Sequence, residues 1–456
     1  MNAGFQPAFF VFSENPFRHI SGGWSKTENE TKEFRLDADS KRVNTRLSIS
    51  RFVWGLPGVV TTWGLACHAE WDAEKYLLYS FGQVSLRPQL EIAETYDSNI
   101  FYAEDDPVDD FILSLRPGLS LVYGQKSDSY VSIRYTLDAS MYAERNDLNN
   151  LGHLLGHQSR IKLARWTIQG TDTFNVTRAL LGGSFTYIQK RIGLTSLNDA
   201  WRADYELSPR MMLGAKFGFD WADYDAADLG TAHLYDYMAY NVGARLGYLP
   251  AEKIVVFPEF TFGQAFLDAN NPLAAQAPEV DSYSFGAGAE GEFTPKLSGM
   301  VSGGYEIRQY SDDSEIPDGW VADLRLRWQM RPKTTLTAGY RHFIQVSREA
   351  RAIPFTAHRP LVTVEQELGT MGKWIVALDA YYQFNDYQGE FVDPGPPRRM
   401  VVREEDFLST GLRVSWKWQP WLLATAVYDF RSYSDNLSSV PDYDLHRISL
   451  RLTAGY

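Results

Sequence analysis

Residues 447–456 read RISLRLTAGY. Arg447, Ser449, Arg451 and Thr453 alternate with Ile448, Leu450, Leu452 and Ala454. Successive side chains of an extended strand point to opposite faces, so this segment presents one ionic face and one apolar face. The same two-faced pattern recurs upstream. Arg413, Ser415 and Lys417 interleave with Leu412, Val414, Trp416 and Trp418, and Asp323, Arg325, Arg327 and Gln329 with Leu324, Leu326, Trp328 and Met330. From residue 83 onward the chain repeats one unit: an alternating segment, a tight turn, a second alternating segment and a longer polar loop.

The tight turns are marked by Pro and Gly, which preset or permit turn dihedrals. They are Ser208-Pro209-Arg210, Pro250 to Lys253, Thr294-Pro295-Lys296, Arg331-Pro332-Lys333, Thr370 to Lys373 and Gln419-Pro420. The opposite connections are longer and mostly acidic: 102–110, 143–157, 224–231, 268–280, 311–318, 384–400 and 433–442. Short turns at one end and long loops at the other describe an all-β chain folded as a transmembrane antiparallel up-and-down β-barrel. Counting alternating segments predicts about eighteen strands, with sixteen as the alternative where 157–200 is parsed differently. That segment is read as strands 157–168, 171–188 and 196–207, with both chain ends on the short-turn, periplasmic side.

Composition narrows the class. The 456 residues are 44% hydrophobic, 14% aromatic and 22% charged, with a net charge of −13. Acidity argues against a nucleic-acid partner. The only long apolar run lies near the N-terminus, which excludes a polytopic helical membrane protein. The lone Cys67 excludes an intrachain disulfide and a cysteine-built zinc site.

Three features favour a membrane barrel over a soluble sandwich. Trp201, Trp221, Trp320, Trp374, Trp418 and Trp421 are read as standing near strand ends, where aromatic girdles meet the membrane interface. The face opposite the apolar one is ionic. It carries Arg87, Glu91, Arg116, Arg134, Asp138, Arg202, Asp204, Glu206, Arg245, Glu290, Glu306, Arg308, Arg325, Arg327, Arg341, Glu365, Arg413, Arg447 and Arg451, expected to line the lumen. The chain also ends on an alternating strand with an aromatic residue, Tyr456, resembling the signal read by the outer-membrane barrel assembly machinery.

Residues 1–69 read as a leader and 70–456 as the barrel. Lys41, Arg42, Arg46 and Arg51 precede the apolar segment 52–66, and Cys67-His68-Ala69 forms a small-x-small cleavage site. This secretory pattern begins about forty residues into the chain, which places the true start near Val43 or Leu47. A buried apolar helix and a lipoprotein site at Cys67 are the alternatives. Removing 1–69 leaves no cysteine, which suits an oxidising compartment.

The stretch Glu94-Thr95-Tyr96-Asp97-Ser98-Asn99-Ile100-Phe101, followed by an acidic loop and Leu115-Arg116-Pro117-Gly118-Leu119, resembles the opening of the putative β-barrel porin 2 family. The likeness runs over most of 83–456. It implies an outer-membrane barrel of a Gram-negative bacterium, in a family often encoded beside exopolysaccharide systems and without a settled substrate.

Outer-membrane barrels include phospholipases and proteases, whose chemistry needs a nucleophile, a base and an orienting acid. No G-x-S-x-G, H-E-x-x-H or P-loop occurs. His153 and His157 stand four apart with no third metal ligand in a recognisable spacing, and read as a solvated loop. The pairs Glu290/Glu292 and Glu365/Glu367 read as ordinary interior charges rather than glycosidase carboxylates. The expectation is therefore no enzyme, no metal and no cofactor.

The leading expectation is a channel for polar or anionic solutes. Arginines would supply carboxylate or phosphate recognition, and inward Tyr381 and Phe343 would supply stacking faces. Export of an extracellular polysaccharide, beside polysaccharide-export proteins, is its most specific form. A non-conducting structural barrel, or one binding at its surface through 143–157 and the Pro-stiffened 384–400, is the alternative. Outer-membrane lipid and lipopolysaccharide are the expected surroundings. N-terminal sequencing of membrane-extracted protein is expected to start at or near Glu70; residues 2–40 in that material would contradict the leader assignment.

Overall fold

The structure is a computed structural model that describes residues 77–125, 129–180, 191–225, 235–269, 279–311, 318–347, 354–369, 372–393 and 399–455. The leader segment, Cys67, His19, His68, His233, the turn residues Thr370 and Met371, the loop tip 394–398 and Tyr456 lie outside the described residues.

Among the described residues nineteen strands follow in chain order. They are β1 (Tyr79–Phe81), β2 (Val84–Asp97), β3 (Asp110–Gly124), β4 (Tyr130–Tyr142), β5 (Asn150–Leu163), β6 (Trp166–Ala179) and β7 (Ile192–Ser208). Next come β8 (Met211–Tyr224), β9 (Tyr235–Ala251), β10 (Ile254–Ala269), β11 (Val280–Thr294), β12 (Leu297–Tyr310) and β13 (Gly319–Arg331). The last are β14 (Thr334–Val346), β15 (Pro354–Leu368), β16 (Trp374–Asp393), β17 (Arg399–Gln419), β18 (Leu422–Asp435) and β19 (Tyr443–Gly455). Each of β2 to β18 pairs antiparallel with its successor, and β19 pairs with β2 from Arg447↔Asp97 to Gly455↔Gln89, closing eighteen strands into a barrel. The short β1 pairs with β2 through Tyr79↔Leu86 and Phe81↔Val84, on the side of β2 opposite β3 and beyond the end of β19. It thereby covers an edge that would otherwise be open.

The short turns share one construction. Ser208↔Met211, Thr294↔Leu297, Arg331↔Thr334 and Gln419↔Leu422 each close a two-residue turn led by proline, and each is preceded by a register shift. Proline sets the first turn dihedral, and the one-residue bulge restores the strand twist that an ordinary turn would lose.

Burial distinguishes the two faces. Leu450 is 61% exposed, whereas its neighbour Ser449 is 1% exposed. Ile448, Leu412, Leu378, Leu121 and Leu213 are exposed on the same outer face. At the long-loop end, loop residues Ile100, Phe101, Tyr102, Leu148, Leu437 and Val440 pack with Tyr142, Tyr433, Tyr443 and Leu445 in one hydrophobic cluster. No described helix is long and apolar enough to cross a membrane; a barrel crosses with strands.

Four expectations need correction. The β5–β6 turn falls at Ala164-Arg165, not near 168–171, and β5 begins at Asn150, so 150–157 is strand rather than loop. Ala164 takes the turn with a positive φ of 46°, without the Gly or Pro that marks most other turns. The 384–400 segment is mostly strand, because β16 runs to Asp393 and β17 starts at Arg399, with a bulge between Asp386 and Glu390. Trp201 sits mid-strand in β7 rather than near a strand end.

Leu450→Arg is expected to destabilise the refolded barrel by about 2–4 kcal/mol, as for a cation placed on a lipid face. Arg451→Leu should cost much less, and urea titrations of the two variants in lipid would show the ordering.

Candidate functional site

The face opposite the exposed apolar residues is the barrel interior, and strand parity places every member of the ionic set on it. The members differ in what they touch. Arg202 on β7 bonds Asp204 at 2.7 Å and Glu290 of β11 at 2.6 Å. Arg245 on β9 bonds Asp204 at 2.9 Å and Glu290 at 3.0 Å, with its guanidinium over the Phe257 ring. Side chains from β7, β9 and β11 therefore meet across the interior in one network of two arginines and two carboxylates. Arg245 and Asp204 are almost fully buried within it.

Smaller pairings occupy the rest of the wall. Arg116 joins Glu91 at 2.7 Å and Asp138 at 2.9 Å. Arg308 bonds Glu306, Arg325 bonds Asp323, and Arg447 bonds Asp97 across the β2–β19 seam. Arg134 donates to the Ser120 hydroxyl, and Arg413 stands 3.9 Å from Asp379, both half-exposed. Arg341 lies over the Phe343 ring. Arg87 is directly opposite Ser120 in the β2–β3 register, and Arg327 opposite Ser298 and Thr337. Glu365 sits opposite Thr335 and Ala377, and Glu206 is exposed near the short turn after β7.

Sequence reading missed several interior arginines, among them Arg403, Arg359 and Arg431. Arg403 is the largest fully buried side chain. It bonds Glu405 and Asp435 and lies over the Tyr387 and Phe391 rings. Arg359 bonds Gln383 and lies between the Phe343 and Tyr381 rings. Arg431 lies on the same face, opposite Ser409 and Leu445. Alternation marks all three as inward, Arg403 by the same parity as Arg413 on β17.

Near the long-loop end the wall opens into a cavity of about 350 Å³. It is lined by Arg116, Arg178, Arg191, Arg447 and Arg451, and by the hydroxyls of Thr95, Ser114, Ser140, Thr177 and Ser449, with Asp97 its one acidic residue. Arg116 and Arg447 are committed to the carboxylates above, whereas Arg451 has no ion pair to an acidic group among the described residues. Guanidinium groups beside hydroxyls form a site for a carboxylate or phosphate.

His153 and His157 are on the outer face of β5, not in a loop, and they do not act together. His153 bonds the Tyr135 hydroxyl at 2.8 Å, and His157 bonds Asp172 at 2.5 Å. Tyr340–His358 and Tyr428–His446 repeat the first pairing at 2.9 Å, each on the outer face toward the long loops. Tyr with His suits an interfacial belt, where one side of the ring is apolar and the other polar. No group of three metal-ligating side chains occurs among the described residues.

The family model described as "Putative beta-barrel porin 2" matches residues 79–455. The chain belongs to this family. The Asp97-Ser98-Asn99 motif that carried the resemblance lies where the family's barrel closes here: Asp97 pairs with Arg447, and Asn99 donates to the Asp444 carbonyl at 3.3 Å. No curated protein matches. Solved structures similar to the chain include opdK of Pseudomonas aeruginosa, at 10% identity and a TM-score of 0.44, over 81% of this chain and 99% of that one. The FrpB iron transporter of Neisseria meningitidis is similar at 8% identity and a TM-score of 0.44, over 84% and 83%. OccAB3 of Acinetobacter baumannii is similar at 11% identity and a TM-score of 0.40, over 81% and 99%. The comparisons give polysaccharide export no support.

Arg245→Leu would leave the buried Asp204, and Glu290 with it, to Arg202 alone. Removing one partner of a buried pair typically costs about 3–5 kcal/mol. The loss should appear as a lower urea midpoint, and the double variant Arg245→Leu with Asp204→Leu should recover much of it.

Proposed function

We propose that the protein is an outer-membrane channel of a Gram-negative bacterium that conducts small anionic solutes. The observation that carries this reading is the arginine- and hydroxyl-lined cavity: Arg451 stands in it with no ion pair among the described residues, beside the hydroxyls of Thr95, Ser114, Ser140, Thr177 and Ser449. A balanced wall braces the barrel and leaves little net field. An unbalanced one holds a positive potential in a narrow space of low dielectric, where charges are screened less than on an open surface. A solute carboxylate there would meet Arg451 without first breaking an internal ion pair. The hydroxyls of Thr95 and Ser449, themselves bonded at 2.8 Å, would complete its hydration shell.

This reading puts the short turns in the periplasm and the long acidic loops outside the cell. Membership of a porin family and the closed strand topology support the location. The interior pairs act as braces and the cavity as the selective point. Catalysis has no part in conduction.

Reversal potentials across a salt gradient in planar bilayers test the proposal. The wild-type barrel should conduct and prefer anions, and Arg451→Gln should reduce that preference while conductance persists. A protein that inserts but passes no current would overturn the channel reading, and an unchanged selectivity in Arg451→Gln would remove the cavity's role.

A further inference from the structure

The outer face holds one constellation that conduction does not use. At mid-strand, where the surroundings are apolar, His157 of β5, Asp172 of β6 and Asp199 of β7 stand directly opposite one another in register. Ile133 and Phe219 flank the row on β4 and β8, and Leu155, Phe174 and Leu197 lie on the same face one step toward the long loops. Ionisable groups on a lipid-facing wall are costly and mark function rather than packing.

The contacts within this group have a catalytic order. Asp172 Oδ2 bonds His157 Nδ1 at 2.5 Å, and Asp172 Oδ1 accepts from the Trp201 indole Nε1 at 2.7 Å. The carboxylate is thus held from both sides, and it orients the imidazole so that Nε2 is left for proton transfer. The Trp201 ring also stacks against His157, with centroids 5.5 Å apart. Two residues along β5, on the same face, is Ser159. It is 4% exposed, and its Oγ is buried without a hydrogen-bond partner. A buried hydroxyl with no partner is rare and asks for a reason. Residues two apart on a strand face are separated by about 6.7 Å along the chain, a gap that a serine hydroxyl and an imidazole turned toward each other can close. Catalytic hydrogen bonds are often open until substrate is bound. Directly opposite Ser159 is Gly170, where a Cβ would come within 2.7 Å of the Trp201 ring. The missing side chain lets the indole lie across the strand there and screen the hydroxyl.

We propose that Ser159, His157 and Asp172 form a hydrolytic site on the outer wall of the barrel that takes acyl esters of membrane lipid. Ser159 Oγ would attack the ester carbonyl carbon as its proton passes to His157 Nε2. The bond from that carbon to the lipid alcohol oxygen breaks, and the alcohol leaves with the proton from Nε2. Water then attacks the acyl-serine, giving its proton to Nε2, and the fatty acid departs as Ser159 Oγ is reprotonated. Asp172 positions the imidazole and balances its charge. Ser159 lies under the Trp201 indole on the lipid-facing wall, and a diacyl substrate would reach it from the bilayer, without crossing water, once that ring turns aside. Glu94, another outward carboxylate, stands between Ile92 and Tyr96 opposite Leu450 and Leu113, and has no such constellation around it.

The test treats refolded, heat-modifiable barrel with a fluorophosphonate probe and maps the adduct by mass spectrometry. It also measures fatty-acid release from phosphatidylethanolamine vesicles and, separately, from purified lipopolysaccharide. Labelling of Ser159 is expected, absent in Ser159→Ala and at least tenfold slower in His157→Asn. Asp172→Asn should slow fatty-acid release at least tenfold as well. Release from one of the two lipids identifies the source of the ester. A folded barrel that gives no Ser159 adduct, or releases fatty acid from neither lipid, overturns the proposal. Ser159→Ala should conduct as the wild type does, so this test and the channel test fail separately.

Discussion

Everything in this barrel depends on the seam between its first and last strands. A sheet of eighteen strands leaves two edges of unpaired amides and carbonyls unless the ends meet. Here Asp97 takes Arg447 from 350 positions away in the chain, and the Thr95 and Ser449 hydroxyls bond at 2.8 Å one step inward. Asn99 then binds the backbone of its own loop, donating to Ala103 O and accepting from Ala103 N, while reaching the β19 carbonyl of Asp444. The loop that follows buries Ile100 and Phe101. These contacts set the register of the seam. A slip of one residue there would turn every inward arginine of β19 to the outside. The hairpins form from local contacts, whereas the seam joins the chain's most distant partners, so closure carries the largest loop entropy.

The parts that were legible in the sequence are those fixed by local rules. Alternation located most strands because one face must be apolar and the other polar, and Pro209, Pro295, Pro332 and Pro420 located turns because proline sets a dihedral. Reading failed where those local signals were missing. Leu163-Ala164-Arg165-Trp166 has no turn residue, and Ala164 adopts its positive φ because the flanking strands impose it. The run 384–400 resembles a loop by composition, yet β16 and β17 pair through much of it, and parity continues past the bulge at Asp386. The ion-pair network was visible only as a list of charges. That Arg202, Asp204, Arg245 and Glu290 meet depends on barrel curvature bringing β7, β9 and β11 together, which no spacing in the chain encodes.

The interior arginines are held in different ways. Arg245, Arg403 and Arg447 are buried, hold carboxylates and lie in the wall as fixed struts. Each owes its charge to a neighbour's, so removing either partner leaves an ion without compensation. Arg341 and Arg359 also lie against the ring of Phe343, whose face attracts planar cations. Arg451 has neither kind of partner. Arg451 thus adds to the lumen a positive charge that no described carboxylate offsets by an ion pair.

The outer face obeys a stricter rule than the inner one, and its exceptions carry more information. Interior positions tolerate charge, so an inward Arg or Glu by itself says little. Lipid tolerates none without compensation, and a carboxylate there persists only if its surroundings satisfy it or its role requires it. Asp172 is satisfied from two sides, by an imidazole and by an indole. Packing alone does not ask for that arrangement, because an apolar pair at 157 and 172 would match the neighbouring Leu155–Phe174 and Ile161–Ile168 pairs at lower cost. The neighbouring pairs show what the wall becomes when only stability is at stake. The polar row at its centre is therefore an addition to a wall that would be complete without it, and this is the reason to look for chemistry at His157 rather than at any of the interior charges.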